Sequence, residues 1–154
     1  MSSQFINLAE FMVPICLPIS YESLTTNQTL YTVGWNLTYH LNDVSKKKLQ
    51  STTFISNMDC KAKSLMTGTN TSISPYELCT ETQNKHNDKN GIGFPLMSLK
   101  SDRWYLQGFE SQGKNIKVYT RVQNYLQWIQ EVTGEEHCQL PYDNKTGECV
   151  HLSD

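Results

Sequence analysis

Asn90 to Glu110, NGIGFPLMSLKSDRWYLQGFE, decides the fold class. It opens as a tight turn. Gly91 and Gly93 permit positive φ or close backbone approach, and Pro95 fixes φ as the chain leaves. Phe94 to Leu99 and Arg103 to Glu110 then read as two strands, joined by Lys100-Ser101-Asp102, a connection of hairpin length. A turn of this kind serves chemistry when it displays a nucleophile. Ile92, at its tip, has no heteroatom and cannot be one.

Other strands flank this hairpin. Leu30 to Trp35 (LYTVGW) is rich in β-branched and aromatic residues. Lys48 to Ser56, Tyr76 to Thr80 and Ile116 to Val122 are further strand candidates. Asn57 is a suitable N-cap, with Asp59 in the first turn, for a short helix to Leu65 that carries Cys60. Val122, Tyr125, Leu126, Ile129 and Val132 fall at helical spacing on one apolar face, and Gly134 is placed to end that helix. Glu131, Glu135 and Glu136 near its end oppose the helix dipole, so packing has to hold it. Two prolines in Phe11 to Pro18 (FMVPICLP) predict an extended, buried connector. Ser20 to Thr29, Thr67 to Pro75 and the wholly polar Glu81 to Asn90 read as loops. The sum is an all-β domain with a C-terminal helix.

The 154 residues suffice for one domain, burying roughly 70% of the unfolded surface. A mean hydropathy of −0.51 and the lack of an apolar run near the roughly 20 residues a bilayer span requires predict a water-soluble chain with no membrane partner. The net charge is −2, and apart from Lys46-Lys47-Lys48 the basic residues are scattered, which argues against a nucleic-acid partner. His40, His86, His137 and His151 are dispersed. His86 and Asp88 lie close together, but no third ligand is spaced to join them, so neither a metal nor another cofactor is expected.

Cys16, Cys60, Cys79, Cys138 and Cys149 include no CxxC pair and leave one cysteine over, with three pairings of any remaining four. Sequons at Asn27, Asn36, Asn70 and Asn144, together with the cysteines, favour passage through the secretory pathway. Met1 to Glu10 contains no signal peptide, which implies a piece of something longer or a chain that no longer enters that pathway.

Seven fragments in order carry a resemblance: VPICLP (Val13–Pro18), TVGW (Thr32–Trp35), ISNMDC (Ile55–Cys60), ELC (Glu77–Cys79), FPLM (Phe94–Met97), WYLQG (Trp104–Gly108) and VYTRVQNYLQWI (Val118–Ile129). From Phe11 to Val132 the chain resembles the second half of a trypsin-like (chymotrypsin-fold) serine protease, closest in flavour to arthropod clip-domain proteases and their inactive homologues. The resemblance implies the second six-stranded antiparallel β-barrel of that fold with its C-terminal helix, and no first barrel. Residues 1–18 would be the inter-barrel connector, 19–134 the barrel and helix, and 135–154 a polar tail.

The family's Gly-Asp-Ser-Gly-Gly-Pro motif falls on Asn90 to Pro95. The resemblance thus puts Ile92 at the serine position, Gly91 at the aspartate that receives the new N-terminus on activation, and Asn90 at an oxyanion-hole glycine. His86 falls near the base of the specificity pocket. Ser111, Gln112 and Gly113 fall on the substrate-binding strand. The catalytic His and Asp precede the connector in the family and are expected to be missing. A nucleophile without a base does not perform acyl transfer, and here both are lost, so no catalytic residue is assigned.

The resemblance also pairs Cys60 with Cys79. Proximity alone suggests Cys138 with Cys149. Cys16, which in clip proteases usually joins the catalytic domain to the upstream region, would be unpaired or linked to another chain. The function implied is a non-catalytic homologue, extracellular, that binds a protease or another cascade component, as clip-type homologues do in innate immunity and melanisation. The alternatives are a trypsin-like endopeptidase, by family membership, and a truncated fragment of a longer clip-domain homologue. A second barrel by itself would also expose the apolar face that a first barrel covers, a partner-binding surface for which the missing first barrel or upstream region is a further candidate partner.

Overall fold

The structure, a computed structural model, describes residues 15–20, 22–35, 47–68, 72–81, 92–112 and 116–134. The elements are β1 (Thr29–Trp35), β2 (Lys47–Ile55), α1 (Asn57–Met66), β3 (Glu77–Glu81), β4 (Pro95–Lys100), β5 (Arg103–Gln112), β6 (Ile116–Arg121), a 3-10 turn (Val122–Tyr125) and α2 (Leu126–Thr133). The strands form a closed barrel in the order β1-β2-β3-β6-β5-β4, every neighbouring pair antiparallel. This is the six-stranded antiparallel barrel with a C-terminal helix that the sequence predicts. Closure joins β1 to β4, so neither is a terminal edge strand of an open sheet.

Two layers of side chains explain why β3 is buried at three successive positions. Leu30, Phe54, Leu78, Leu96 and Tyr119 pack together as one cluster. Ile55, Cys60, Cys79 and Val118 form a second, in which Cys60 comes from α1. Strand neighbours such as Leu78 and Cys79 point to opposite faces. The first cluster therefore fills the lumen, and the second lies outside the wall, beneath α1. A disulfide between Cys60 and Cys79, with Cα atoms 6.1 Å apart, ties α1 to β3.

The helix starts differ from expectation. Ser56, in place of Asn57, caps α1: its hydroxyl accepts from the Asp59 amide at 3.0 Å and donates to the Asp59 carboxylate at 2.6 Å. Asn57 is the first helical residue, and its side-chain amide bonds the carbonyls of Ser74 (2.9 Å) and Glu77 (3.3 Å), pinning the approach to β3. The C-terminal helix begins as a 3-10 turn, which has 3.0 residues per turn against 3.6. The change of pitch narrows the predicted face. Val122 and Leu126 are buried, whereas Tyr125 and Val132 are exposed. Gly134 ends α2 as expected, at φ 70° with its amide on the Gln130 carbonyl.

β4 and β5 pair as the predicted hairpin, with Lys100 opposite Arg103 and a two-residue connection, Ser101-Asp102, both at positive φ. β5 runs two residues beyond the expected end and carries two register shifts, one opposite Leu96/Met97 and one between Glu110 and Gln112. Each leaves one β5 residue, Gln107 or Ser111, without a partner in the ladder, which bends the strand around the lumen. Gly108 sits between them, where a Cβ would meet the Thr120 carbonyl oxygen at 2.6 Å and the Tyr119 Cβ at 3.1 Å. Gly108→Ala should therefore cost about 1–3 kcal/mol through overpacking, read as a lower urea midpoint at unchanged m-value.

Candidate functional site

The turn at Ile92–Gly93 is held by the backbone of one β5 residue. The Gly93 amide donates to the Glu110 carbonyl at 2.7 Å, and the Glu110 amide donates to the Phe94 carbonyl at 2.8 Å. Gly93 has φ 94°, a conformation few side chains tolerate, so the glycine of the motif is required by the backbone. The ring of Phe94 lies over Gly34 of β1, about 3.2 Å from where a Cβ would stand. Held on its C-terminal side by these two bonds, the turn presents Ile92 to solvent at 84% exposure. Position 92 thus has the display of a nucleophile turn and a side chain without an ionisable or nucleophilic atom. Asn90, Gly91 and His86 lie outside the described residues.

Ser111 follows Glu110 at the bulge, and its hydroxyl donates to the Val118 carbonyl at 3.1 Å. Gln112 is backbone-paired with Val118, and Gly113 lies outside the described residues. Cys16 forms an isolated parallel bridge with Tyr105 of β5. Its amide donates to Trp104 O and its carbonyl accepts from Leu106 N, and its thiol is free. Asn27 sits exposed at φ 69° in a turn closed by Gln28 N to Thr25 O, so this sequon is sterically open. Asn36, Asn70 and Asn144, Cys138 and Cys149, and all four histidines fall outside the described residues. Among the described residues no cluster of three or more His, Cys, Asp or Glu is arranged to hold a metal.

Sequence reading missed what lies directly behind the turn. Glu110 is 3% exposed and Lys117 8%, and their side chains form an ion pair inside the barrel. Glu110 faces Tyr119 in register, so Lys117, two residues earlier on β6, is its diagonal neighbour. Burial pushes the Glu110 carboxyl pKa up, and the hydrogen bond and charge of Lys117 oppose this without overcoming it. The Tyr119 hydroxyl is driven far above its usual range by burial and then by the Glu110 charge, with Thr80 and Thr32 acting in the other direction. The signal available in the sequence was one acid and one base at inward parity on consecutive strands, seven residues apart.

A carboxyl whose folded pKa exceeds its unfolded value favours the fold when protonated. Its contribution is full below pH 4.5 and is lost as pH rises through the folded pKa. Lys117→Met removes the counter-charge and should cost about 3–5 kcal/mol at neutral pH. The cost should shrink as pH falls through the raised Glu110 pKa, because the protonated acid has no charge to bury. Urea unfolding of both proteins at pH 5 and pH 8 measures this, and an equal loss at both values would remove Glu110 as its source.

Residues 2–129 match the trypsin family. The chain is also 27% identical over 135 residues to CLIP domain-containing serine protease B9 of Anopheles gambiae. That alignment covers 82% of this chain and 33% of the mosquito protein, so the chain spans about a third of the length of this curated relative. The barrel, its C-terminal helix and the family match agree: this chain belongs to the trypsin-like serine protease family.

Proposed function

We propose that the chain is a non-catalytic trypsin-like homologue that works by binding a protein partner, a protease or another component of an extracellular protease cascade. The observation that carries this reading is Ile92, which stands exposed beside the Gly93–Glu110 backbone bond, where the family motif has its nucleophile. Acyl transfer needs a nucleophile, a base in reach and oxyanion donors, and an aliphatic side chain supplies none of the first. Two neighbouring features support it. The Ser111 hydroxyl on the former substrate-binding strand is committed to Val118 O, and the Glu110–Lys117 pair fills the barrel interior beside that strand.

A binding role also fits the apolar side chains along this part of β5. Phe109 is 43% exposed, and Ile92 stands on the turn that Glu110 holds. Exposed apolar groups on a strand and on the turn bonded to it suit a protein interface better than free solvent. An extracellular setting is supported by the buried Cys60–Cys79 bridge and by the open sequon at Asn27. No helix among the described residues is long and apolar enough to cross a membrane.

A fluorophosphonate probe tests the catalytic half of the proposal. Neither the native chain nor Ile92→Ser should be labelled, because a serine restored without a base is an unactivated hydroxyl. Stoichiometric labelling of the native chain would overturn it.

A further inference from the structure

A groove of about 260 Å³ opens on the outside of the barrel, where the turn that enters β1 comes up to α1. Thr53 and Ile55 alternate on one face of β2, and Thr53 stands opposite Glu81 of β3, so the three share the wall beneath α1. To the same groove α1 contributes Asp59 and Lys63, one helical turn apart, and the turn contributes Asn27. Lys63 and Glu81 pair there at 39% and 43% side-chain exposure, so their polar atoms remain open to a ligand. The turn is bonded to β2: Asn27 N donates to Phe54 O at 3.0 Å, and Phe54 N donates to Gln28 O at 2.9 Å. Asn27 opens the sequon Asn27-Gln28-Thr29, and both Asn27 and Thr29 are exposed. One rim of the groove is thus an accessible glycan acceptor.

We propose that Asn27 carries an N-linked glycan whose first N-acetylglucosamine lies in this groove and ties the turn to α1. The inference rests on the extracellular setting proposed above, which takes the chain past the glycosylation machinery. Asn27 Nδ2 loses a proton and bonds the anomeric carbon of a lipid-pyrophosphate-linked oligosaccharide, and the lipid pyrophosphate leaves. The groove offers what a sugar ring needs. Its hydroxyls donate to the Asp59 and Glu81 carboxylates and accept from the Lys63 ammonium, while Ile55 and the Thr53 methyl face its C–H groups. Being neutral, the sugar leaves the charge balance of the Lys63–Glu81 pair intact. The volume falls below the roughly 300 Å³ at which pockets for free small molecules begin, so a free ligand would be held poorly. Attachment at the rim removes that difficulty, because a short tether gives an effective concentration on the order of millimolar.

The test expresses the full chain behind a cleavable secretory leader in eukaryotic cells, so that entry to the pathway is imposed and only the site is in question. The peptide holding Asn27 should carry the mass of an N-glycan in the native chain and lose it in Thr29→Val, which keeps Asn27 and the strand. An unmodified Asn27 in both secreted and retained protein overturns the proposal; the location of the natural chain tests the extracellular reading separately. Docking is read after enzymatic trimming to one N-acetylglucosamine. Losing that sugar through Thr29→Val should lower the urea midpoint, and should lower it less in a Lys63→Ala background. Equal losses in both backgrounds overturn docking, as does the same coupling among the four chains made without glycosylation. Nuclear Overhauser contacts between the sugar and the Thr53 or Ile55 methyl groups are expected in the native glycoform, and their absence overturns docking even where a variant fails to fold.

Discussion

The barrel depends on its closing seam. β1 meets β4 through only two opposed pairs, Tyr31 with Met97 and Thr32 with Leu96, whereas β1 pairs with β2 over seven positions. So short a ladder is held by what lies behind it. Leu30 and Leu96 are fully buried and pack with Phe54, Leu78 and Tyr119 in one lumen cluster. Hydrophobic burial in the lumen thus substitutes for hydrogen bonds at the seam, and a six-stranded lumen is narrow enough for five large side chains to fill.

The same narrowness explains the two irregularities in β5. A strand that contributes to a small closed barrel must bend, and bulges at Gln107 and Ser111 provide the bend. Gly108 lies between them because the neighbouring β6 backbone comes too close for a side chain. At the far end of this bent segment Glu110 has two jobs. Its backbone fixes the turn that displays Ile92, and its carboxylate reaches inward to Lys117. The exposed turn and the buried charge pair are in this way coupled through one residue.

Buried ion pairs seldom add net stability relative to apolar replacements of similar volume, because desolvation offsets the attraction. Their presence in a lumen that otherwise holds leucine, aromatic and threonine side chains therefore has a consequence for shape more than for stability. The Glu110–Lys117 pair and the buried Thr32 and Thr80 add polar groups to an interior whose apolar cluster includes Tyr119.

Much was legible in the sequence by itself. Apolar and β-branched runs located every strand to within a few residues, Gly134 marked the end of α2, and the ordered fragments from VPICLP to VYTRVQNYLQWI identified the family and the Cys60–Cys79 bridge. Ile92 at the tip of the turn was plain, because a motif position needs no tertiary contact to be read. Tertiary structure alone decided which polar residues go inside. The sequence reading did not single out Glu110 and Lys117, since period-two alternation gives the face of a residue but not what covers that face. It also decided that Cys79 and Val118, on the outer face, are as buried as Leu78 and Tyr119, because α1 lies over them. Pairing register, the β5 bulges and the closing seam arise between strands far apart in the chain. No local pattern encodes them, since the energy that selects them comes from packing a shared lumen.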